Sequence, residues 1–400
     1  MTPKLRFPEF TDNWTVTELG ECSDIQTGKA LPSSDILEFG DRLICRGINV
    51  KSGFLESNSE INRFTNSFID RKYLVQNDDI LLPMDGSKVG KNIAVADLEF
   101  HNSFLIQRVA RIRLPKELVW FYFQQLWSWN FERYVFTINT SSGIPHISEK
   151  QIRRFKVSKP SLEEAHKISS LFELVNKKIN LLTKKKEALE TYKKGLMQKI
   201  FSQELRFKRE DGTYYPEWRR VKLGDIQEFK NGKPTEPYWC ENGKYEVITL
   251  NSVSINGKLK ASGRTTDFND NSLEKGDLVM VLSDIAHANL LGLCDVIPSE
   301  GFILNQRMGR LRVAAEVDPY FLRYAINRRQ KYFKQKGQGT SQKHIYQRDV
   351  DSLTIELPCF DEQMKITETL KSIDLMTSRI FDANSQTSEM KKGLLQQMFV

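Results

Sequence analysis

The stretch KKGLMQKIF, Lys193 to Phe201, is written again near the other end of the chain as KKGLLQQMF, Lys391 to Phe399. The two copies lie 198 residues apart. A repeat on that scale points to a duplicated unit, and recognising it governs every later reading of the fold. Backwards from each copy, apolar residues recur at every seventh position. Ile168, Val175, Leu182, Leu189 and Leu196 form one row, and Ile366, Ile373, Ile380 and Leu394 form the other, with Thr387 filling its gap. Leu171 and Tyr192 stand on neighbouring d-type positions of the first, Met376, Ala383 and Met390 on those of the second. Lys178 and Lys185 interrupt the d row, so the seam is narrow and suits one partner helix. Heptads sustained this long predict coiled-coil helices. No proline follows Pro160 in the first segment or Pro358 in the second. Each helix is therefore expected to run about 55–60 Å at 1.5 Å per residue. Leu196 stays in register at its end, and Met197, Ile200 and Phe201 offer apolar surface where the helix meets the next domain.

The repeat extends far beyond the helices. NWTVTELGECSDIQTGK (Asn13 to Lys29) faces EWRRVKLGDIQEFKNGK (Glu217 to Lys233), matching Trp14, Leu19, Gly20, Gly28 and Lys29 to Trp218, Leu223, Gly224, Gly232 and Lys233. NDDILL (Asn77 to Leu82) answers KGDLVM (Lys275 to Met280), and QRVARIR (Gln107 to Arg113) answers QRMGRLR (Gln306 to Arg312). Pro160, Glu164, Lys167 and Ile168 match Pro358, Glu362, Lys365 and Ile366. Before each helix the texture is short β-rich runs between Gly, Asn, Asp and Ser turns. RLICRGINV, DDILLPM and NSFLIQRVARIRL read as strands in the first copy, and YEVITLNSV, GDLVMVLS and LNQRMGRLRV in the second. A helix is expected after each set, over KELVWFYFQQLWSWNFERYVF and PYFLRYAINRRQKYF, with the aromatic stripe at helical spacing facing the core. The organisation is two mixed α/β domains, residues 1–158 and 202–356, each followed by a helix, 159–201 and 357–400. The fold class is α+β, with two long antiparallel helices joining the domains in a pseudo-twofold repeat.

Composition narrows the function. Lys and Arg exceed Asp and Glu by 59 to 51, giving +8 and favouring an anionic partner. The longest apolar run is LVWFYF, Leu118 to Phe123, far short of a membrane span, and no secretory signal opens the chain. A cytoplasmic protein is expected. Cys22, Cys45, Cys240, Cys294 and Cys359 stand far apart without metal-ligand spacing and read as reduced thiols.

Catalytic constellations are missing from the sequence. GSKVGKN (Gly86 to Asn92) is one residue short of a phosphate loop and has Asn92 where a metal-binding hydroxyl belongs. The chain contains no Pro-Pro for a base-flipping methyltransferase pocket, and the DRK at Asp70 to Lys72 has no acidic partner upstream. What remains is a reader of nucleic acid. TSSGIPHIS (Thr140 to Ser148) and GQGTSQKHIY (Gly337 to Tyr346) align His146 with His344 and combine small residues with donors of long reach. The DNA-contact candidates are Lys29, Arg46, Lys88, Lys91, Ser141 and His146 in the first half. In the second they are Lys233, Arg264, Gln338, Gln342, Lys343 and His344.

These features together resemble the specificity subunit of type I restriction-modification systems, across the whole chain. The resemblance rests on the Trp-x(4)-Leu-Gly opening and following Gly-Lys of each half, the acidic β-strand, and the glycine turn closing on His-Ile. It continues in the Pro, Glu and Lys-Ile that lead into a heptad helix ending in KKGL. DGSKVGK is similar to a glycine turn of these domains, while the second copy departs from it with LSDIAHANLLG (Leu282 to Gly292). The resemblance implies a non-enzymatic subunit with two target recognition domains, each reading half of a split, asymmetric DNA site in phage defence. It implies antiparallel helices that act as a spacer, two modification subunits docked around them, and two motor-nuclease subunits that join for restriction. S-adenosylmethionine, ATP and Mg²⁺ then belong to those partners. Residues 161–201 carry nine Lys against five Glu, and 359–400 carry five basic against six acidic residues, so the helices pair without repulsion. A duplicated helical scaffold that touches no DNA is the rival reading, as is the specificity chain of a related multi-subunit restriction class.

Overall fold

The computed structural model describes residues 3–139, 144–285 and 288–399. The first half contains strands β1 (Thr15–Glu18), β2 (Asp24–Thr27), β3 (Arg42–Cys45), β4 (Phe64–Thr65), β5 (Ile80–Pro83), β6 (Ala94–Val95), β7 (Phe104–Leu105), β8 (Val109–Arg113) and β9 (Lys156–Lys159). Its helices are α1 (Leu19–Cys22), α2 (Val119–Leu126), α3 (Trp129–Ile138), α4 (Glu149–Arg154) and the long α5 (Leu162–Phe201). The second half contains β10 (Arg219–Lys222), β11 (Gln227–Asn231), β12 (Trp239–Cys240), β13 (Tyr245–Ile248), β14 (Thr265–Thr266), β15 (Leu278–Val281), β16 (Ser283–Ile285), β17 (Cys294–Val296), β18 (Phe302–Leu304), β19 (Met308–Val313), β20 (Gln342–His344) and β21 (Thr354–Leu357). Helices α6 (Pro319–Asn327), α7 (Gln330–Lys336), α8 (Gln347–Asp351) and α9 (Phe360–Met398) accompany them. Two compact units result, residues 1–185 with 380–400, and 186–379. The units divide within α5 and α9, so each unit owns the start of one long helix and the end of the other.

Sheet topology repeats with the sequence. The first unit has a four-stranded sheet β2-β8-β5-β6, a sheet β4-β3-β7 and the pair β1-β9. The second has β11-β19-β15-β17, β12-β14-β13-β18 and β10-β21. Each unit holds one parallel pair, β3 with β7 and β13 with β18, among antiparallel ladders. Buried on both faces, the central runs Ile80–Pro83 and Leu278–Val281 are continuously apolar rather than alternating.

The repeated residues of the sequence hold this fold together. Glu164, fully buried, accepts from both Nε and Nη2 of Arg6, at 2.6 and 2.7 Å, and from Trp14 Nε1 at 3.0 Å. Glu362 accepts from Arg206 Nη2 at 2.9 Å and from Trp218 Nε1 at 2.9 Å. A carboxylate survives burial only when paired and fully hydrogen-bonded, which ties the entry of each long helix to its domain. Asp79 with Arg113 and Asp277 with Arg312 form two-pronged pairs in the same places. At Gly28 and Gly232 a Cβ would lie 2.0 and 1.9 Å from the carbonyl oxygens of Ile106 and Asn305, so only glycine lets the strands approach. The helix ends are equally structural. Phe399 packs 5.4 Å from Phe121 and 6.3 Å from Trp14, and Phe201 packs 5.6 Å from Phe321 and 6.3 Å from Trp218.

Within the first unit, Lys391 donates to Asn176 and Asn384 to Thr183. As α5 advances seven residues its partner in α9 retreats seven, the signature of an antiparallel pair. In the second unit, Lys193 meets Asp374, the repeat counterparts of Lys391 and Asn176. Ile168, Val175, Ile366, Ile373 and Ile380 are buried as expected from the heptads, with Leu182, Leu189, Leu196 and Leu394 half-buried.

The second row of the seam differs from the expectation. It falls one residue later, on Phe172, Ile179, Lys193 and Ile200 in α5 and on Leu370, Thr377, Asn384, Lys391 and Met398 in α9. The expected d-type residues Tyr192, Met376 and Met390 are instead about half exposed, at 60%, 53% and 49%. Spacings of three and four are both available to a helix, and the domain cores select the row carrying Phe172, Ile200, Leu370 and Met398.

The single aromatic helix expected after β8 is two, broken where Ser128 Oγ accepts from Phe131 N and caps α3. Phe121, Phe123 and Phe131 are core, but Trp129 and Phe136 are exposed. Among the described residues no helix is long and apolar enough to cross a membrane.

Candidate nucleic-acid interface

After β5 the chain enters the turn from Met84 to Asn92. Gly86 (φ +99°) and Gly90 (φ +79°) provide left-handed backbone, and a Cβ on Gly90 would press on Val135 at 3.0 Å. Val89 is buried and Asn92 Nδ2 donates to Val50 O at 2.9 Å, so the turn is pinned while Lys88 and Lys91 stay exposed. The closing segment then docks on it. Asp85 bridges His146, Gly86 N donates to Pro145 O and Ile147 N to Met84 O. His146 N in turn donates to Asn139 Oδ1 at 2.7 Å. Lys88, Lys91 and His146 are thus brought to one edge; Ser141 lies outside the described residues. Lys91 is held by Glu132 at 2.9 Å, leaving Lys88 the freer cation.

The second unit builds the same edge from different side chains. Strands β16 and β20 pair Ser283 with His344, Asp284 with Lys343 and Ile285 with Gln342, so Ser283–His344 is the counterpart of Asp85–His146. Gln338 and His344 exchange both backbone hydrogen bonds across a hairpin, in which Gly339 (φ +107°) leaves no room for a Cβ, only 2.1 Å from Gln342 O. All four candidates, Gln338, Gln342, Lys343 and His344, therefore share one hairpin. The carboxylate of Asp284 faces inward and accepts from Ile285 N and Leu290 N. Its charge is absorbed locally.

Two residues of this edge escaped the sequence reading. Arg108 and Arg307, from the repeated Gln-Arg pair, are exposed and join the first residue of each turn, as Arg108 O accepts from Met84 N and Arg307 O from Leu282 N. Arg108 also pairs with Asp85 at 2.7 Å and has φ +67°, a conformation unusual for a long side chain. The repetition itself was the signal, masked because the pair adjoins an apolar strand. Lys29 and Lys233 are exposed beside them, bridging Ile106 and Asn305.

Arg46 does not join the edge. Its Nη2 donates to Ile61 O and its backbone to Asn49 Oδ1, and burial together with the nearby Arg63 holds its pKa down. The guanidinium is thus tied to one carbonyl in the segment after β3, away from the edge. Arg264 lies on the corresponding second sheet, exposed and stacked 5.1 Å from the Trp239 ring. Its true counterpart is Arg63, since Ile44 N donates to Arg63 O as Val247 N does to Arg264 O.

Chemically, each edge offers cations, amides and glycine turns, the groups that engage phosphates and base edges. Among the described residues no group of His, Cys, Asp and Glu is placed to hold a metal ion.

Comparison with known proteins agrees. The type I restriction modification DNA specificity domain matches the chain twice, over residues 11–191 and 215–386. The type I restriction enzyme MjaVIII specificity subunit of Methanocaldococcus jannaschii is 28% identical over 346 residues, 82% of this chain and 79% of that protein. The putative type I restriction enzyme MjaX specificity subunit of the same organism is 25% identical over 276 residues, 64% of this chain and 60% of that protein. In structure, the type I restriction-modification system S subunit from M. genitalium aligns with a TM-score of 0.71 at 18% identity, covering 100% of this chain and 99% of that one, so the fold is shared. The chain belongs to the family of type I restriction modification DNA specificity domains. It is a specificity component, not an enzyme.

Proposed function

We propose that each unit reads one half of a bipartite, asymmetric DNA site through the edge just described. In this reading α5 and α9 set the unread spacer and dock two methyltransferase subunits, with two restriction subunits added for cleavage. One observation supports it above the others. The same backbone edge occurs twice beside the shared Arg108 and Arg307, carrying Asp85 and Lys88 in one unit and Ser283, Gln342 and Lys343 in the other. Equal frames with unequal side chains suit two half-sites of different sequence. S-adenosylmethionine, ATP and Mg²⁺ act on the partner subunits, and the assembly works on cytoplasmic DNA.

The test is a methylome of cells carrying the chain with its methyltransferase partner. Exchanging the hairpin from Gly337 to His344 should alter the bases of one half-site and leave the other half and the spacer unchanged. Changes in both halves would contradict the one-unit, one-half assignment. Binding to duplex DNA should also weaken steeply with salt, at roughly 0.9 log units per phosphate contact for each tenfold rise. A flat salt response would favour a scaffold that does not touch DNA.

A further inference from the structure

In the first unit a groove of about 660 Å³ opens where α2 breaks before α3, beside the last turns of α9. Trp127, Trp129, Phe155 and Phe399 form its apolar wall. Lys156 and Lys392, both exposed, stand on its rim, and among the described residues that line it none carries a carboxylate. Gln124 also lines it, only 1% exposed, and neither its amide nitrogen nor its amide oxygen has a hydrogen-bond partner among the described residues. A buried amide with both ends unmatched calls for a ligand, because each orphaned group carries a desolvation cost. One donor beside one acceptor is the complement of a peptide group.

The second unit shows what a closed version looks like. With Phe321 in the place of Phe121, Tyr324 stands where Gln124 does, and its hydroxyl is satisfied by Asp374 Oδ2 at 2.7 Å. Arg328 and Arg329 replace Ser128 and Trp129, the Arg328 guanidinium lies 4.6 Å from the Phe201 ring, and only about 110 Å³ remains. The groove is therefore not a by-product of the repeated fold. The two copies differ in it because of specific exchanges of side chains.

DNA is a poor fit for its occupant. The groove lies at the N-terminal end of α3, whereas the reading edge is met at the other end, where Asn139 holds His146. Roughly 15 Å of helix separates them at 1.5 Å per residue. We infer that this groove docks an acidic peptide segment of a partner protein, once per chain, which inserts a large aromatic side chain among the tryptophans and sets its carboxylates against Lys156 and Lys392. Aromatic anchors in a desolvated pocket with complementary charge at the rim are how small interfaces reach specificity. A single such site gives an otherwise duplicated subunit one unequal side.

The probe is a fluorescein-labelled hexapeptide with one tryptophan among glutamates, titrated by fluorescence polarisation into the full chain at low salt without DNA. Saturation at one peptide per chain is expected. Trp129→Ala and Lys392→Glu, at exposed positions and checked by unchanged melting, should each weaken binding at least tenfold, while Arg329→Ala in the closed counterpart should not. Absence of saturable binding overturns the inference, as does equal affinity for a peptide without tryptophan or an equal loss on Arg329→Ala. A short oligothymidylate that binds in competition with the peptide, and loses affinity on Trp129→Ala, would assign the groove to single-stranded nucleic acid instead. None of these results bears on duplex reading, which is assayed separately.

Discussion

Lys391 Nζ donates a 2.7 Å hydrogen bond to Asn176 Oδ1 from a position only 6% exposed. Its repeat counterpart Lys193 meets a carboxylate instead, Asp374 Oδ1 at 2.6 Å. The same helix contact is thus neutral-partnered in one unit and ion-paired in the other. Burial without a compensating charge pushes Lys391 down to about 8, even though its ammonium lies 3.9 Å from the Trp127 ring.

The folded pKa of Lys391 lies below the ordinary lysine value of 10.5. The native state therefore binds this proton more weakly than the unfolded chain does. At pH below about 8 both states are protonated and the cost is fully present; as pH rises from there toward the usual lysine range, the native form sheds its proton first and stability increases. Asn176→Asp should supply the missing carboxylate, flatten this rise and raise the melting midpoint at neutral pH by about 2–4 °C. Calorimetric scans of both proteins from pH 7 to 10 read the effect, and parallel pH profiles would contradict it.

Glu164 gathers Arg6 and Trp14 while fully buried. Glu164→Ala strands the Arg6 guanidinium, 13% exposed in its side chain, without its partner. Removing one member of such a pair costs about 3–5 kcal/mol. Glu362→Ala should do the same in the other unit. Urea unfolding followed by tryptophan fluorescence distinguishes these losses from the surface pair Lys91–Glu132, whose removal should shift stability by less than about 1 kcal/mol.

At the proposed reading edge, Arg108 and Arg307 occupy equivalent backbone positions in both units, whereas Lys343, paired across from Asp284, corresponds to Pro145 and has no basic counterpart. Common positions suit phosphate contacts and unequal ones suit base readout. Arg307→Ala should therefore weaken all duplexes alike and reduce the salt slope by about one contact. Lys343→Ala should cost about 1–3 kcal/mol at one position of one half-site and relax the choice of base there. Binding measured on the methylome-defined site and its single-base variants separates the two.

Much of this architecture could be read from spacing, for definite reasons. Trp14, Glu164, Gly28 and Phe399 recur because close packing leaves them no freedom, so the repeat recorded the fold twice. One heptad row was legible because isoleucines and leucines mark it. The second was not, since Lys391 is buried and Lys193 and Asn384 half-buried, polar residues that look like solvent-facing ones until their partners are known. The same limit applied to Arg46, whose tie to Ile61 O depends on a loop geometry no spacing encodes. The helix break at Ser128 was written as a capping serine but hidden inside an aromatic run.

The glycines of KKGL give the opposite case from those of the strands. A Cβ at Gly28 or Gly232 meets a carbonyl oxygen near 2 Å, whereas Gly195 and Gly393 have nothing within 4 Å. Gly28→Ala or Gly232→Ala should therefore abolish folding of its unit, seen as loss of cooperative melting. Gly195→Ala and Gly393→Ala place alanine inside α5 and α9 without a clash, and each should stabilise its helix by about 1 kcal/mol. If folding were the only demand on these positions, glycine would be the poorer residue at both. On the docking of methyltransferase subunits proposed above, glycine at both positions would permit close approach, so the alanine variants should melt higher yet assemble with that subunit more weakly. Sedimentation of the mixed complex tests this, and unchanged assembly would confine the role of these glycines to this chain.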